Sequence, residues 1–210
     1  MTNWQPTKLR DFFFHYDFAN PNHVKAVELL QKQAGALMND NAEWVRIFRS
    51  SAEDTGYLKT AATLIKEFEG FSATPYKCSA GVWTIGFGST YYPDGVLVQP
   101  GDKAVSKEKA TELLENHIDN VIVPTLKKNI PTWGAMNANQ KAAMVSFAYN
   151  LGSNFYGTGG FNTITKALST TENFAQVPQA LLLYVNPGST FERGLRRRRI
   201  AEGDLWKKPT

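Results

Sequence analysis

A single cysteine, Cys78, stands in a chain of 210 residues. It excludes an internal disulfide, and with it the framework that holds many small secreted domains together. It is also too few for a cysteine zinc site. Histidine is nearly as scarce. His15, His23 and His117 are the whole set, two of them near the N-terminus, and no His-Glu-x-x-His pattern occurs. No metal site and no cofactor are expected from such a set. Long apolar runs are missing too. Phe12-Phe13-Phe14 is too short for the centre of a signal peptide, and no small-residue cleavage site follows it. The longest uncharged stretch, 142–165, is full of Asn, Ser, Thr and Gly. It is a poor match to the about 20 mainly apolar residues of a membrane span. A soluble protein made in the cytoplasm is expected, with neither signal peptide nor transmembrane anchor. Internal repeats and low-complexity segments are also lacking.

What is present is ordinary globular composition: 42% hydrophobic and 20% charged residues, enough in this length to bury a sizeable core. The formal charge is +4, unevenly placed. Residues 1–56 carry six Lys and Arg against seven Asp and Glu, and residues 57–210 carry seventeen against twelve. Most of the surplus lies in the last twenty residues, around Arg193 and the run Arg196 to Arg199. A basic patch of this kind suits an anionic polymer or surface, or is simply a solvated helix face. No zinc-finger spacing or RNA-binding signature accompanies it, so a nucleic-acid partner is not expected.

The hydrophobic periodicity predicts three short helices over residues 1–56, ending in the polar segment Ser51 to Gly56. A further helix follows from Tyr57, with Leu58, Ala61, Leu64, Ile65 and Phe68 on one face and Gly70 as its stop. Val82 to Gly88 reads as a strand, and Pro93-Asp94-Gly95 as a turn before another at Val96 to Val98. After Ser106 the pattern is helical throughout. Ser106, the pair Asn137 and Gln140, and the pair Ser189 and Glu192 mark three helix starts; Pro124 and Pro178 interrupt what lies between. The fold class is α+β, a small sheet lobe among many helices. The boundary at 56/57 separates an N-terminal helical extension from a second domain over 57–210.

Chemistry concentrates where the helix from Tyr57 meets the strand. Glu69 is the last helical residue, where the dipole disfavours negative charge, and Phe68 and Phe71 flank it. A carboxylic acid that keeps its proton is what a glycosidase general acid requires. Eight residues separate Glu69 from Cys78 and five separate Cys78 from Thr84, ahead of a glycine-rich strand.

The spacing Glu-x8-[Asp or Cys]-x5-Thr resembles the phage-type lysozymes, glycoside hydrolase family 24. Two further blocks in the same order carry the resemblance: NANQKAAMVSFAYNLGSNFY from Asn137 and FERGLRRRRIAEGDLW from Phe191. The resemblance implies a lysozyme-like fold, a small β-hairpin lobe beside a larger helical one. It implies a muramidase cutting the β-1,4 bond between N-acetylmuramic acid and N-acetylglucosamine in bacterial peptidoglycan. Glu69 would protonate the leaving oxygen, and Thr84, on the first strand, would help hold the attacking water. Cys78 stands where the best-studied members have Asp, and would need a depressed pKa to act as a base, with Lys77 at hand. Tyr76, Phe87, Gly88 and Asn150 would line the saccharide groove, with Gly86 and Gly88 admitting sugar rings close to the backbone. Ser89 replaces the family's usual histidine. A monomer is expected, held in the host cytoplasm until holin-type release to the periplasmic wall, with the Arg193 to Arg199 region attracted to anionic wall or membrane.

Other readings remain open at this point. If Cys78 cannot activate water, the sugar's own 6-hydroxyl could attack, the outcome of a lytic transglycosylase. Cys78 with His117 could form a Cys-His peptidase, which the Glu and Thr frame disfavours. Residues 1–56 could bind the wall or be a structural extension.

Overall fold

The structure is a computed structural model that describes residues 56–209 apart from Ser79. All of these lie in the unit Ser51–Thr210. The helices and polar segment expected over residues 1–55 lie outside the described residues.

Helix α1 spans residues 56–69. Tyr57, Leu58, Ala61, Ala62 and Ile65 are buried along one side. Gly70 follows at φ 70°, a left-handed conformation that glycine adopts without steric cost. The chain reverses directly into β1 (Ser72–Lys77), which pairs antiparallel with β2 (Trp83–Gly86) in a two-stranded sheet. The register sets Tyr76 opposite Thr84 and Lys77 opposite Trp83, with an irregularity between Ser72 and Tyr76. Pro75 sits inside that irregularity, where a missing N–H does no harm to the ladder. The first strand of the pair is therefore one not expected from the sequence, and Thr84 projects from the second strand, not the first. The expected strand beyond Pro93 reduces to a single bridge between Tyr91 and Leu97.

Helix α2 (Lys107–His117) opens on Ser106, whose hydroxyl accepts from the Lys109 N–H at 3.1 Å. A π-helical turn, Ile118–Ile122, follows before α3 (Val123–Asn129). Pro124 sits in the first turn of α3, where its absent N–H costs little. Helix α4 (Ala138–Leu151) starts on the expected capping box of Asn137 and Gln140 and ends at Gly152. Ala142 to Ala148 are buried without a break, so α4 is enclosed on all sides and is the centre of the helical lobe. Phe147, Phe155, Phe161 and Tyr184 form an edge-to-face and stacked cluster against it.

Helix α5 (Asn162–Ala167) and the 3₁₀ turn Thr171–Gln176 lead to α6 (Val177–Leu181), with Pro178 in its first turn. The last helix, α7 (Glu192–Lys207), packs on α4 and α6. Its start differs from expectation. Ser189 donates its hydroxyl to the Asn186 carbonyl, and the Glu192 carboxylate accepts the Gly188 N–H at 2.8 Å. The loop uses both side chains locally, so no Ser189 cap forms on α7.

Candidate active site

Glu69 is the last residue of α1, its side chain 23% exposed. Its Oε1 lies 2.5 Å from Nη1 of Arg198 on α7. The guanidinium of Arg198 stacks over the Phe68 ring at 5.8 Å. The surroundings that the sequence suggested, a helix end and two aromatics, thus include a buried cation the sequence did not point to. Arg198 offsets the end of the helix, where peptide dipoles oppose negative charge. Phe71 packs on Phe87 at 5.4 Å.

Cys78 follows β1 and is partly exposed. Its N–H donates to the Val82 carbonyl at 3.0 Å and its carbonyl accepts from Gly81 at 2.8 Å, so the turn folds back on the residue. Backbone N–H groups of Val82 and Ala80 pull the thiol below its ordinary range. Burial opposes them weakly, and the Thr84 hydroxyl adds to the pull. Lys77 has no part in this: its ammonium lies 5.5 Å from the centre of the Trp83 ring.

Thr84 is buried on β2, and its hydroxyl donates to the Val82 carbonyl at 3.0 Å. Facing it across the ladder is Tyr76, 39% exposed. Burial, then the charges of Glu69 and Cys78, raise the Tyr76 phenol. One side chain thus feels both groups proposed for acid and base work.

Phe87 is buried, with the Lys66 ammonium 5.8 Å above its ring. Its carbonyl accepts from the Tyr149 hydroxyl at 2.9 Å. Gly88 adopts φ 107°, and a Cβ there would stand 3.0 Å from the same hydroxyl. A Cβ on Gly86, at φ 68°, would stand 2.8 Å from Cβ of Ala110. The close approaches at the two glycines are therefore internal, to Tyr149 and α2. Those contacts give each glycine a packing reason of its own, beside the expected approach of sugar rings. Asn150, in the last turn of α4, accepts from Nη2 of Arg199 at 2.7 Å.

Tyr149 went unnoticed in the sequence. Burial, then the charge of Glu69, raise its phenol strongly. Behind it His117 and Tyr91 meet at 2.5 Å between Nδ1 and the phenol oxygen, and burial lowers the His117 imidazole. These residues line a small cavity of about 110 Å³ with Gly88 and Ser89. The Ser89 hydroxyl is buried and finds no hydrogen-bond partner among the described residues. His117 is engaged by Tyr91 and Tyr149 rings, and the groups that act on Cys78 are backbone N–H groups and Thr84. A Cys-His pair gets no support from this arrangement.

The arginine run divides. Arg198 and Arg199 are buried, while Arg193, Arg196 and Arg197 face outward with Ile200 and Phe191.

Glu69 at a helix end, Cys78 in the hairpin turn and Thr84 on β2 make up the candidate site. The family model for phage lysozyme matches residues 66–202. The chain is 31% identical to the SAR-endolysin of Haemophilus phage HP1 over 155 residues, 69% of this chain and 77% of that one. It is 32% identical to the endolysin of Lactococcus phage c2, covering 70% of this chain and 58% of the relative. Among solved structures, a mutant P22 lysozyme aligns with TM-score 0.58 at 28% identity, over 71% of this chain and 96% of that one. The muramidase domain of SpmX from Asticaccaulis excentricus aligns with TM-score 0.58 at 26% identity and the same coverage. The chain belongs to the phage lysozyme family.

Proposed function

We propose that this lysozyme acts as an endolysin muramidase, hydrolysing the β-1,4 bond between N-acetylmuramic acid and N-acetylglucosamine. Glu69 donates a proton to the glycosidic oxygen, and the bond from that oxygen to the sugar carbon breaks. A water attacks the same carbon and gives its proton to the Cys78 thiolate. Proton exchange with solvent then returns both groups to their starting forms. Thr84 holds the water with the hydroxyl that donates to the Val82 carbonyl and draws the Cys78 thiol down. Tyr76, Phe87, Gly88 and Asn150 line the groove.

The observation that carries the reading is the local geometry: Glu69 ends α1, the chain reverses at once into the hairpin, and the hairpin holds Thr84 opposite Tyr76 with Cys78 in the turn between the strands. Hydrolysis is favoured over transglycosylation because the hairpin turn lowers the thiol and so supplies a base for water. Glu69→Gln is the direct test of the acid. A loss of about 10²–10⁴-fold is expected for a general acid. A Cys-His peptidase would keep its activity.

Peptidoglycan is the substrate and the working unit is a monomer over residues 57–210, with 1–56 as a structural extension. The outward Arg193, Arg196 and Arg197 add attraction to the anionic wall. No described helix is long and apolar enough to cross a membrane. The enzyme accumulates in the host cytoplasm and reaches the wall through a holin.

A further inference from the structure

Four charged side chains run in an unbroken chain behind the cleft. Glu69 meets Nη1 of Arg198 at 2.5 Å. Nε of Arg198 lies 3.3 Å from Oε1 of Glu202, which also accepts the Ser146 hydroxyl at 2.7 Å. Nη2 of Arg198 donates to the Ser146 carbonyl at 3.0 Å. Nε of Arg199 faces Oε2 of Glu202 at 3.2 Å, an ion pair without hydrogen-bond alignment. Nη2 of Arg199 then donates to Asn150. Glu202 and Arg199 are wholly buried. Burial pushes the Glu202 carboxyl up, Arg199 and then Arg198 draw it back down, and Arg198 is shared between a carboxylate at the surface and one in the core.

A buried charge is costly unless paired, so this tetrad is either a structural staple or it performs work. Its two ends argue for work, because one is the proposed acid and the other is a groove residue on α4. We propose that Glu202 is a positioning residue: its buried carboxylate holds Arg198 against Glu69 and Arg199 against Asn150. Catalytic acid and groove amide are thereby placed by one anchor on α7. The proposal rests on Glu69 being the acid.

Groups from the neighbouring elements also act on the tetrad. From α4 come Tyr149, which responds to both Glu69 and Arg198, and the neutral Ser146 and Asn150. From β1 come Tyr76 and, through it, Cys78. Helix α6, packed on α7, brings Val177–Leu181, which contains no ionisable residue.

Glu202→Gln keeps the shape and removes the carboxylate. Arg198 and Arg199 then lose their common anchor, and kcat at saturating substrate falls about 10–100-fold while KM rises. Glu202→Asp keeps the carboxylate and regains part of both losses. If Glu202→Gln does not fold, the double variant Glu202→Gln/Arg199→Gln removes the buried pair together and carries the same expected loss of kcat. An undiminished kcat in the folded variant, single or double, overturns the proposal. Glu69→Gln measured alongside separates the two levels. If it stays active, the acid assignment has failed. If it is inactive while the Glu202 variants keep the wild-type kcat and KM, only the positioning role has failed.

Discussion

Arg198 reaches Glu69 across 129 positions of sequence, placing a guanidinium from the last helix 2.5 Å from the carboxylate that ends the first described one. The two helices that carry them are held apart by the whole of the helical lobe in sequence, yet one ion pair ties them at the cleft. Removing the cation should therefore act on chemistry and stability together. Arg198→Gln leaves Glu202 buried without one of its two partners, so a cost of about 3–5 kcal/mol is expected. Urea denaturation at pH 7 measures it. A loss below 1 kcal/mol would place the pair among weak surface bridges.

The Cys78 thiol gives a pH signature. In the proposed reaction its thiolate is the base, so activity should rise as pH passes through the thiol's titration, which lies below its ordinary value. Cys78→Asp should carry that rise several pH units lower, into the carboxylate range near 4. Cys78→Ser should cost about 10²–10⁴-fold, since a hydroxyl supplies no base at neutral pH. Turbidity clearing of purified walls from pH 4 to 9 reads all three. A rise that stays in place in Cys78→Asp would remove the thiol from the water-activating role.

His117 gives a stability signature of opposite origin. Burial lowers its imidazole, so the folded protein binds fewer protons there than the unfolded chain. Stability from this source is complete above about pH 6.5, the unfolded value, and is lost as pH falls below it toward the folded one. His117→Gln should be less stable at pH 8 and lose less between pH 7 and pH 5. Thermal melts of both proteins over that range check it; parallel curves would exclude His117 as the source.

Glycine positions test the internal contacts. Gly86→Ala puts a methyl 2.8 Å from Ala110 at a positive φ, and a loss of about 1–3 kcal/mol is expected. At Gly88 the neighbour is the end of a tyrosine side chain, so Tyr149→Phe should recover part of the loss in Gly88→Ala. Additive losses in the double variant would show that backbone strain alone sets the cost.

Local signals were the legible ones. The Ser106 cap, the Asn137 and Gln140 box and the stop at Gly70 depend on residues within four positions of each other, and each forms as expected. Strand β1 was not legible, because SATPYK contains a proline and few strand formers. It becomes a strand by pairing with β2. Ser189 reads as a cap but its loop gives the hydroxyl a nearer carbonyl. The spacing of Glu69, Cys78 and Thr84 pointed to the candidate site. The identity of its buried supports, Arg198, Glu202 and Tyr149, depends on packing between elements far apart in sequence, which no periodicity encodes.

The outward face of α7 makes a separate claim about the wall. Arg193 and Arg197 are exposed on it, so Arg193→Gln/Arg197→Gln should lyse walls more slowly at low salt and depend less on salt. Equal salt curves for the variant and the wild type would leave that face without a role in wall attraction.

Mass spectrometry of peptidoglycan digested by wild type, Cys78→Ala and Glu69→Gln tests the central claim most directly. Wild type should release fragments ending in reducing N-acetylmuramic acid, one water heavier than the anhydro form, with far less from Cys78→Ala and almost none from Glu69→Gln. Anhydro-muramic ends from the wild type, or undiminished products from Glu69→Gln, would contradict it.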